Sequence, residues 1–396
     1  MAHSGHPVYI LGMLAAPAFV LFFALSPQGS AGVSPVKSFS IIEKQAEEAK
    51  AKDRLSEAIQ LYSQGVRMQP GWSEGWWSLG SLLYEQDRFA EARAAFLKFT
   101  RLTAKPGPAY AFLALCEFET KQYDDALRHF QSWRKSGSPG TDALLDVAGY
   151  HWALLLTREG QFQQALYLLA AKIKKLGATP DLTEAMGLAS LRITFLPTEY
   201  PPEKRELVWL AGKAAVHAAR YEPEVSNEYA RRLEMRYPRE PNVHYFLGTL
   251  LGFQNKLPEA AQQYQEELKL SQDHVPALTE LAMVDVRTFD PVSAIPIAER
   301  AVKLEPENPR ALYALGKSLL DAGKYRESLP ILESAKQHAP SSSLIRSALA
   351  AAYRHEGRVE DAKREAAAFL ALQGKEEQLG PLKEKPPIRA RPENRP

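Results

Sequence analysis

Two short stretches of this chain carry the residue types of catalytic motifs. Gly71-Trp72-Ser73-Glu74-Gly75 reads G-x-S-x-G, the spacing that in a hydrolase lifts a nucleophilic serine out of a strand-to-helix turn, with Asp and His partners further on. That chemistry needs a strand before the serine. Here helical patterns lie on both sides, and Ser73 stands where a helix N-cap belongs, ahead of Trp76. Gly316-Lys317-Ser318 matches the end of a phosphate-binding loop, but Ala311 occupies the place of the required upstream Gly and no strand leads in. The His residues of the body (His129, His151, His217, His244, His274, His338, His355) are scattered, and no pair has the i, i+4 spacing that presents two ligands to one metal. Cys116, the only Cys, excludes an intramolecular disulfide or a cysteine-based zinc cluster and reads as a small buried hydrophobe. Asp124-Asp125 opens a helix, where the dipole favours negative charge. No catalytic, cofactor-binding or metal-binding residue is expected.

The bulk properties agree. Among 396 residues, 49 Lys or Arg against 47 Asp or Glu leave a formal net charge of +2, without the basic excess of a nucleic-acid binder. With 45% apolar and 24% charged residues, the chain has enough apolar side chains to form packed structure.

The elements that must position any site emerge from internal repetition. Ala-rich helical pairs recur every 34 residues, in frames starting at Phe39, Ser73 and Gly107, then at Asp146 after a five-residue displacement, then at Leu207, Pro241, Val275, Pro309 and Ser343. The eighth residue is small in all nine frames: Ala46, Gly80, Ala114, Ala153, Ala214, Gly248, Ala282, Gly316 and Ala350. So is the twentieth: Ala58, Ala92, Ala126, Ala165, Ser226, Ala260, Ala294, Ser328 and Ala362. Two antiparallel helices approach closely only where each offers almost no side chain. Large residues fill the space around them, such as Leu79, Leu113 and Trp152 at position seven and Tyr62, Phe96, Phe130, Leu169, Tyr264 and Leu332 at position twenty-four. Pro70, Pro238, Pro306 and Pro340 end four of the second helices.

This pattern resembles the tetratricopeptide repeat; in the second frame Trp76, Leu79, Gly80, Ala92 and Phe96 stand where that family places its signature residues. The resemblance implies an all-α solenoid of stacked antiparallel helix pairs, wound as a right-handed superhelix. The expected organisation is an N-terminal repeat block at 39–179, an irregular helix and Pro-rich loop at 180–206, a C-terminal block at 207–376 and a disordered tail at 377–396. Within the irregular stretch, Asp181 to Phe195 reads as an amphipathic helix with Leu182, Met186, Ala189 and Ile193 on one face, and Pro197, Pro201 and Pro202 break the chain after it.

In this family the first helix of each repeat lines a concave surface through positions two, five, nine, twelve and thirteen. On these frames the positions hold Trp77, Tyr84, Phe118, Tyr150, Tyr245, Phe253 and Tyr313, with Met283, and the cations Arg287, Arg310 and Lys317, with Arg158 and Arg354. Aromatics supply contact area at low entropic cost and Arg can hold carboxylates or carbonyls, so the groove is expected to take a protein or peptide ligand. The other reading of each ring is packing against a neighbouring repeat. The Lys and Asn pair with which some family members clamp a chaperone's C-terminal carboxylate is missing; the corresponding pairs are Glu43/Glu47, Trp77/Ser81, Ala111/Leu115 and Tyr150/Leu154.

Val8 to Leu25 is an uncharged stretch of 18 residues followed by Ser26, Pro27, Gly29, Ser30 and Ala31. It reads as a signal peptide at 1–31 cut after Ala31, or as an uncleaved inner-membrane anchor. The expectation is a periplasmic or secreted bacterial protein that acts without catalysis or cofactor, binds a protein or peptide rather than nucleic acid, and meets membrane only through its N-terminal segment. The alternatives are a self-associating envelope scaffold, and an accessory repeat module related to O-GlcNAc transferases without their catalytic domain.

Overall fold

The computed structural model describes residues 35–378; the expected leader at 1–31 and all but the start of the expected tail lie outside the described residues. The chain divides between Gly75 and Trp76 into two compact units. The first carries α1 (Pro35–Ala51), α2 (Leu55–Met68) and the start of α3 (Ser73–Glu85). Its centre is Trp72, stacked on Tyr62 at 5.6 Å and met edge-on by Phe39 at 5.2 Å. A Cβ on Gly65 would lie 2.6 Å from the Trp72 ring and one on Gly75 only 2.1 Å from it, so the second glycine of the G-x-S-x-G stretch makes room for an indole.

The second unit continues with α4 (Phe89–Leu102), α5 (Ala109–Glu119), α6 (Tyr123–Lys135), α7 (Asp142–Arg158), α8 (Phe162–Leu176) and α9 (Pro180–Ser190). After a 3-10 turn at Pro202–Lys204 follow α10 (Arg205–Ala219), α11 (Pro223–Arg236), α12 (Val243–Phe253), α13 (Leu257–Leu270) and α14 (Val275–Arg287). The last five helices are α15 (Pro291–Leu304), α16 (Pro309–Asp321), α17 (Tyr325–His338), α18 (Ser343–His355) and α19 (Val359–Gln378). No strand occurs among the described residues. In the second unit, consecutive helices from α5 onward pack as antiparallel pairs, and each pair packs on the next, which makes this unit an α-solenoid.

All eighteen small residues of the repeat frame are buried. Where position eight is Gly the reason is direct: a Cβ on Gly248 would sit 2.6 Å from the Tyr264 ring, and one on Gly316 2.6 Å from Leu332, the position-twenty-four filler of the same repeat. The filler also reaches the next repeat, since Phe96 stacks on Phe112 (5.4 Å, 17°) and Phe130 on Trp152 (6.4 Å, 19°). A second regularity joins the first. Position fifteen adopts positive φ in every frame: Asp53, Asp87, Lys121, Gly160, Tyr221, Asn255, Phe289, Gly323 and Gly357. This left-handed residue reverses the chain between the two helices of a repeat.

Two local expectations change. Helix α3 begins at Ser73 itself, whose hydroxyl donates to the Glu74 carboxylate at 2.9 Å. The helix expected over Asp181 to Phe195 is α9, started by Thr179, whose hydroxyl accepts from Leu182 N–H, and ended at Ser190. Beyond it Arg192 has φ 56, the left-handed mark of position fifteen, and counting back puts the buried Ala185 at position eight. Thus α9 has the marks of the first helix of a further repeat. Its own second helix is prevented by Pro197, Pro201 and Pro202, because a ring without N–H interrupts helical bonding. Helix α10 takes that place. A Cβ on Gly187 would stand 2.0 Å from the Val208 carbonyl oxygen and one on Gly212 2.0 Å from that of Thr183, so the two backbones touch. Helix α10 also pairs with α11, where the Ser226 hydroxyl donates to the Ala214 carbonyl at 2.8 Å.

Candidate functional site

In the C-terminal repeats the first helices α14, α16 and α18 lie side by side. Between them runs a groove of about 640 Å³. Helix α16 contributes Tyr313, Lys317, Leu320 and Asp321; α18 contributes Leu344, Ser347, Ala348, Ala351 and His355. Val286, Phe289 and Pro291, from the end of α14 to the start of α15, and Tyr325 at the head of α17 complete the lining. The volume falls within the roughly 300–1,000 Å³ of small-molecule sites, and nine of the thirteen lining residues are apolar or aromatic. Tyr325 and His355 stack face to face at 4.0 Å with their planes 5° apart. Burial, aided by the negative charge of Asp321, pushes the Tyr313 phenol up to about 12. Lys317 is ion-paired with Asp321 one turn on.

Phe289 is the unusual member of the lining. Its φ of 64 lies in the region that side chains with a Cβ avoid, and its ring is 83% exposed. Leu344, across the groove, is 60% exposed. Apolar groups left in water at the mouth of an apolar groove have the most to gain from a ligand.

Of the residues picked out by position, Tyr313 and Lys317 line this groove. Tyr245 lies in a second cluster along the same row of helices, with its ring 5.2 Å from His274 and the Arg192 guanidinium 5.7 Å from its face. Burial first, then nearby Glu280, raises the Tyr245 phenol above its ordinary value. Arg310 gives its Nε–H to the same Glu280 at 2.7 Å, and Arg287 bonds the Asn255 side chain at 3.0 Å. Phe253 is 80% exposed at the end of α12. The rings nearer the N-terminus face their neighbours. Trp77 packs among Phe96, Phe99 and Phe112, Tyr84 meets Phe89 and Phe112, and Phe118 meets Tyr123 and His151. Tyr150 meets His151 edge-on and its phenol is raised by burial. Arg158 bonds Glu199 at 3.1 Å and covers the Tyr123 ring. Positional reasoning missed Phe289 and Tyr325, which sit outside the five named positions, and did not single out Leu344 and His355, which occupy two of them.

The motif-like residues have structural occupations. Ser318 is buried and donates to the Ala314 carbonyl at 2.8 Å. The Cys116 thiol is buried and pushed up to about 12, first by burial and then by Glu117. Buried Glu117 accepts from Arg93 (3.1 Å) and contacts His129 (2.6 Å), tying α4, α5 and α6 together. Among the described residues no group of three or more His, Cys, Asp or Glu could hold a metal, and no helix is long and apolar enough to cross a membrane.

The tetratricopeptide repeat family matches residues 43–107, 280–343 and 313–375. Human protein O-mannosyl-transferase TMTC3 is 23% identical over 273 residues, 69% of this chain and 23% of that protein. The peroxisomal targeting signal receptor of Saccharomyces cerevisiae is 32% identical over 107 residues, 27% of this chain and 17% of that one. The chain thus spans less than a quarter of the length of either relative. Among solved structures, MamA from Desulfovibrio magneticus is similar at 20% identity and a TM-score of 0.37, over 44% of this chain and 97% of that one. YrrB, described as having an unusual peptide-binding site, is similar at 16% identity and a TM-score of 0.35, over 45% and 91%. With family matches in both repeat blocks and buried small residues at positions eight and twenty throughout, the chain carries tetratricopeptide repeats.

Proposed function

We propose that this protein is a non-enzymatic scaffold that holds a segment of a partner protein, or a peptide, in the groove between α14, α16 and α18. The observation that carries this reading is a lining in which apolar and aromatic residues predominate and Lys317 is already neutralised from within by Asp321. Such a groove favours a near-neutral extended segment that inserts aliphatic or aromatic side chains, and offers little to an acidic one. The partial likeness to a targeting signal receptor is in keeping with segment recognition. Catalysis plays no part in this reading, because the serine, cysteine and lysine of the motif-like stretches are engaged in packing or pairing. Residues 1–31 would take the protein to the periplasm or outside the cell, cut after Ala31 or retained as an anchor.

The test is selection of peptides from a random library displayed on phage, against the full chain. Selected peptides should be rich in aromatic and branched aliphatic residues, and should lose binding to Leu344→Ser, a change at an exposed position that leaves the fold intact. Selection of mainly Asp- and Glu-rich peptides, or equal binding to the variant, would overturn the reading.

A further inference from the structure

The junction between α11 and α12 is packed more loosely than the corresponding junctions of the later repeats. At two earlier junctions the filler at position twenty-four reaches across to the next first helix, as Phe96 does to Phe112 and Phe130 to Trp152. In the repeat starting at Leu207 that position is Ala230, as it is Ala298 and Ala366 in the repeats starting at Val275 and Ser343. A cleft of about 280 Å³ opens there, with Ala230, Leu247, Leu250 and Leu251 as its apolar walls. It lies among the second helices α11 and α13 and the first helix α12, apart from the residues of the groove described above.

The rim carries a distinctive charge. Arg231 and Lys256 both line the cleft, and among the described residues neither has a carboxylate within ion-pairing distance, unlike Lys317 and Arg310. Arg231 donates to the Asn227 carbonyl of its own helix at 3.3 Å, which leaves its charge uncompensated. The carboxylate on the rim, Glu234, accepts a 2.7 Å bond from Gln263, which also contacts His244.

We propose that this cleft is a binding site for a small amphipathic carboxylate: an apolar body, alkyl or aryl, in the space that Ala230 leaves, and one acid group held by Arg231 and Lys256. The volume is just below the roughly 300–1,000 Å³ of sites that enclose drug-sized ligands, so it suits a short chain or one ring. The acid group supplies the charge the two cations lack, and the leucine walls gain by excluding water.

The test uses octanoate as probe, with octanol and octylamine as controls, titrated into the full chain by calorimetry. Octanoate should bind, octanol about ten-fold more weakly because it lacks the charge-assisted bonds, and octylamine not measurably. Ala230→Phe should abolish octanoate binding while melting no lower than the parent, because its ring fills a void. If that ring proves too large to fold, Ala230→Leu serves. Arg231→Gln with Lys256→Gln, both at exposed positions, should leave melting unchanged and bring octanoate down to the affinity of octanol. Absence of octanoate binding, octanol binding as tightly, or retention by a folded Ala230→Phe would each overturn the proposal. So would a short peptide ending in Leu outcompeting octanoate, which would assign the cleft to a chain terminus.

Discussion

Replacing Phe289 by Asn should raise stability and lower binding. The left-handed conformation at φ 64 costs a residue with a Cβ about 1–2 kcal/mol, and Asn tolerates it far better than an aromatic. With 83% of the ring exposed, little burial is lost on its removal. The gain should be close to 1 kcal/mol, or about 2 °C in melting temperature for a chain of this size. Burying an exposed aromatic under a ligand is worth roughly 1.5–3 kcal/mol before ordering costs. A groove-bound peptide selected on the parent chain should therefore lose about ten-fold or more in affinity. Circular dichroism melting and fluorescence anisotropy read the two quantities on one preparation. A strained, exposed residue kept for binding must give opposite signs. A variant that melts lower, or that binds the peptide as the parent does, refutes the reasoning.

Two further predictions follow from packing and burial. Gly187→Ala puts a methyl 2.0 Å from the Val208 carbonyl oxygen, a contact that only backbone movement can relieve, and should destabilise by about 3 kcal/mol. Ala185→Gly on the same helix should cost only about 1 kcal/mol, and chemical denaturation distinguishes the two. The phenols of Tyr84, Tyr313 and Tyr353, each pushed up to about 12 with burial as the largest cause, hold their protons more tightly folded than unfolded. Their contribution is complete below about pH 10 and is lost as pH rises through 12. Ultraviolet difference titration should show them ionising above the ordinary tyrosine range, and denaturant midpoints should fall across that window.

Much of the fold could be read from residue order because close helix approach admits so few side chains. Positions eight and twenty announce the helix pairs without any long-range information. The left-handed turn at position fifteen is less legible, since Asp, Lys, Tyr, Asn, Phe and Gly all serve there and the tertiary frame imposes the conformation. Helix α9 kept the phase of a first helix, but the glycines that let α10 replace its partner, Gly187 and Gly212, fall outside positions eight and twenty. For the groove, helical phase places a side chain on a face but does not say which neighbour that face meets. Tyr313 lines the groove, while Trp77, at the same repeat position, packs among Phe96, Phe99 and Phe112. The Lys317 and Asp321 pair, four residues apart, is visible in sequence. The Arg310 and Glu280 pair spans 30 residues and appears only when α14 and α16 lie together.

The most direct test of the central claim is site-specific cross-linking. A photoreactive amino acid at Ser347, in the groove lining, and another at Met235, exposed on α11, would be irradiated with a library-selected peptide. Groove binding predicts a cross-linked product at Ser347, competed away by unlabelled peptide, and none at Met235. A product at Met235 alone, or at Ser347 without competition, would contradict it.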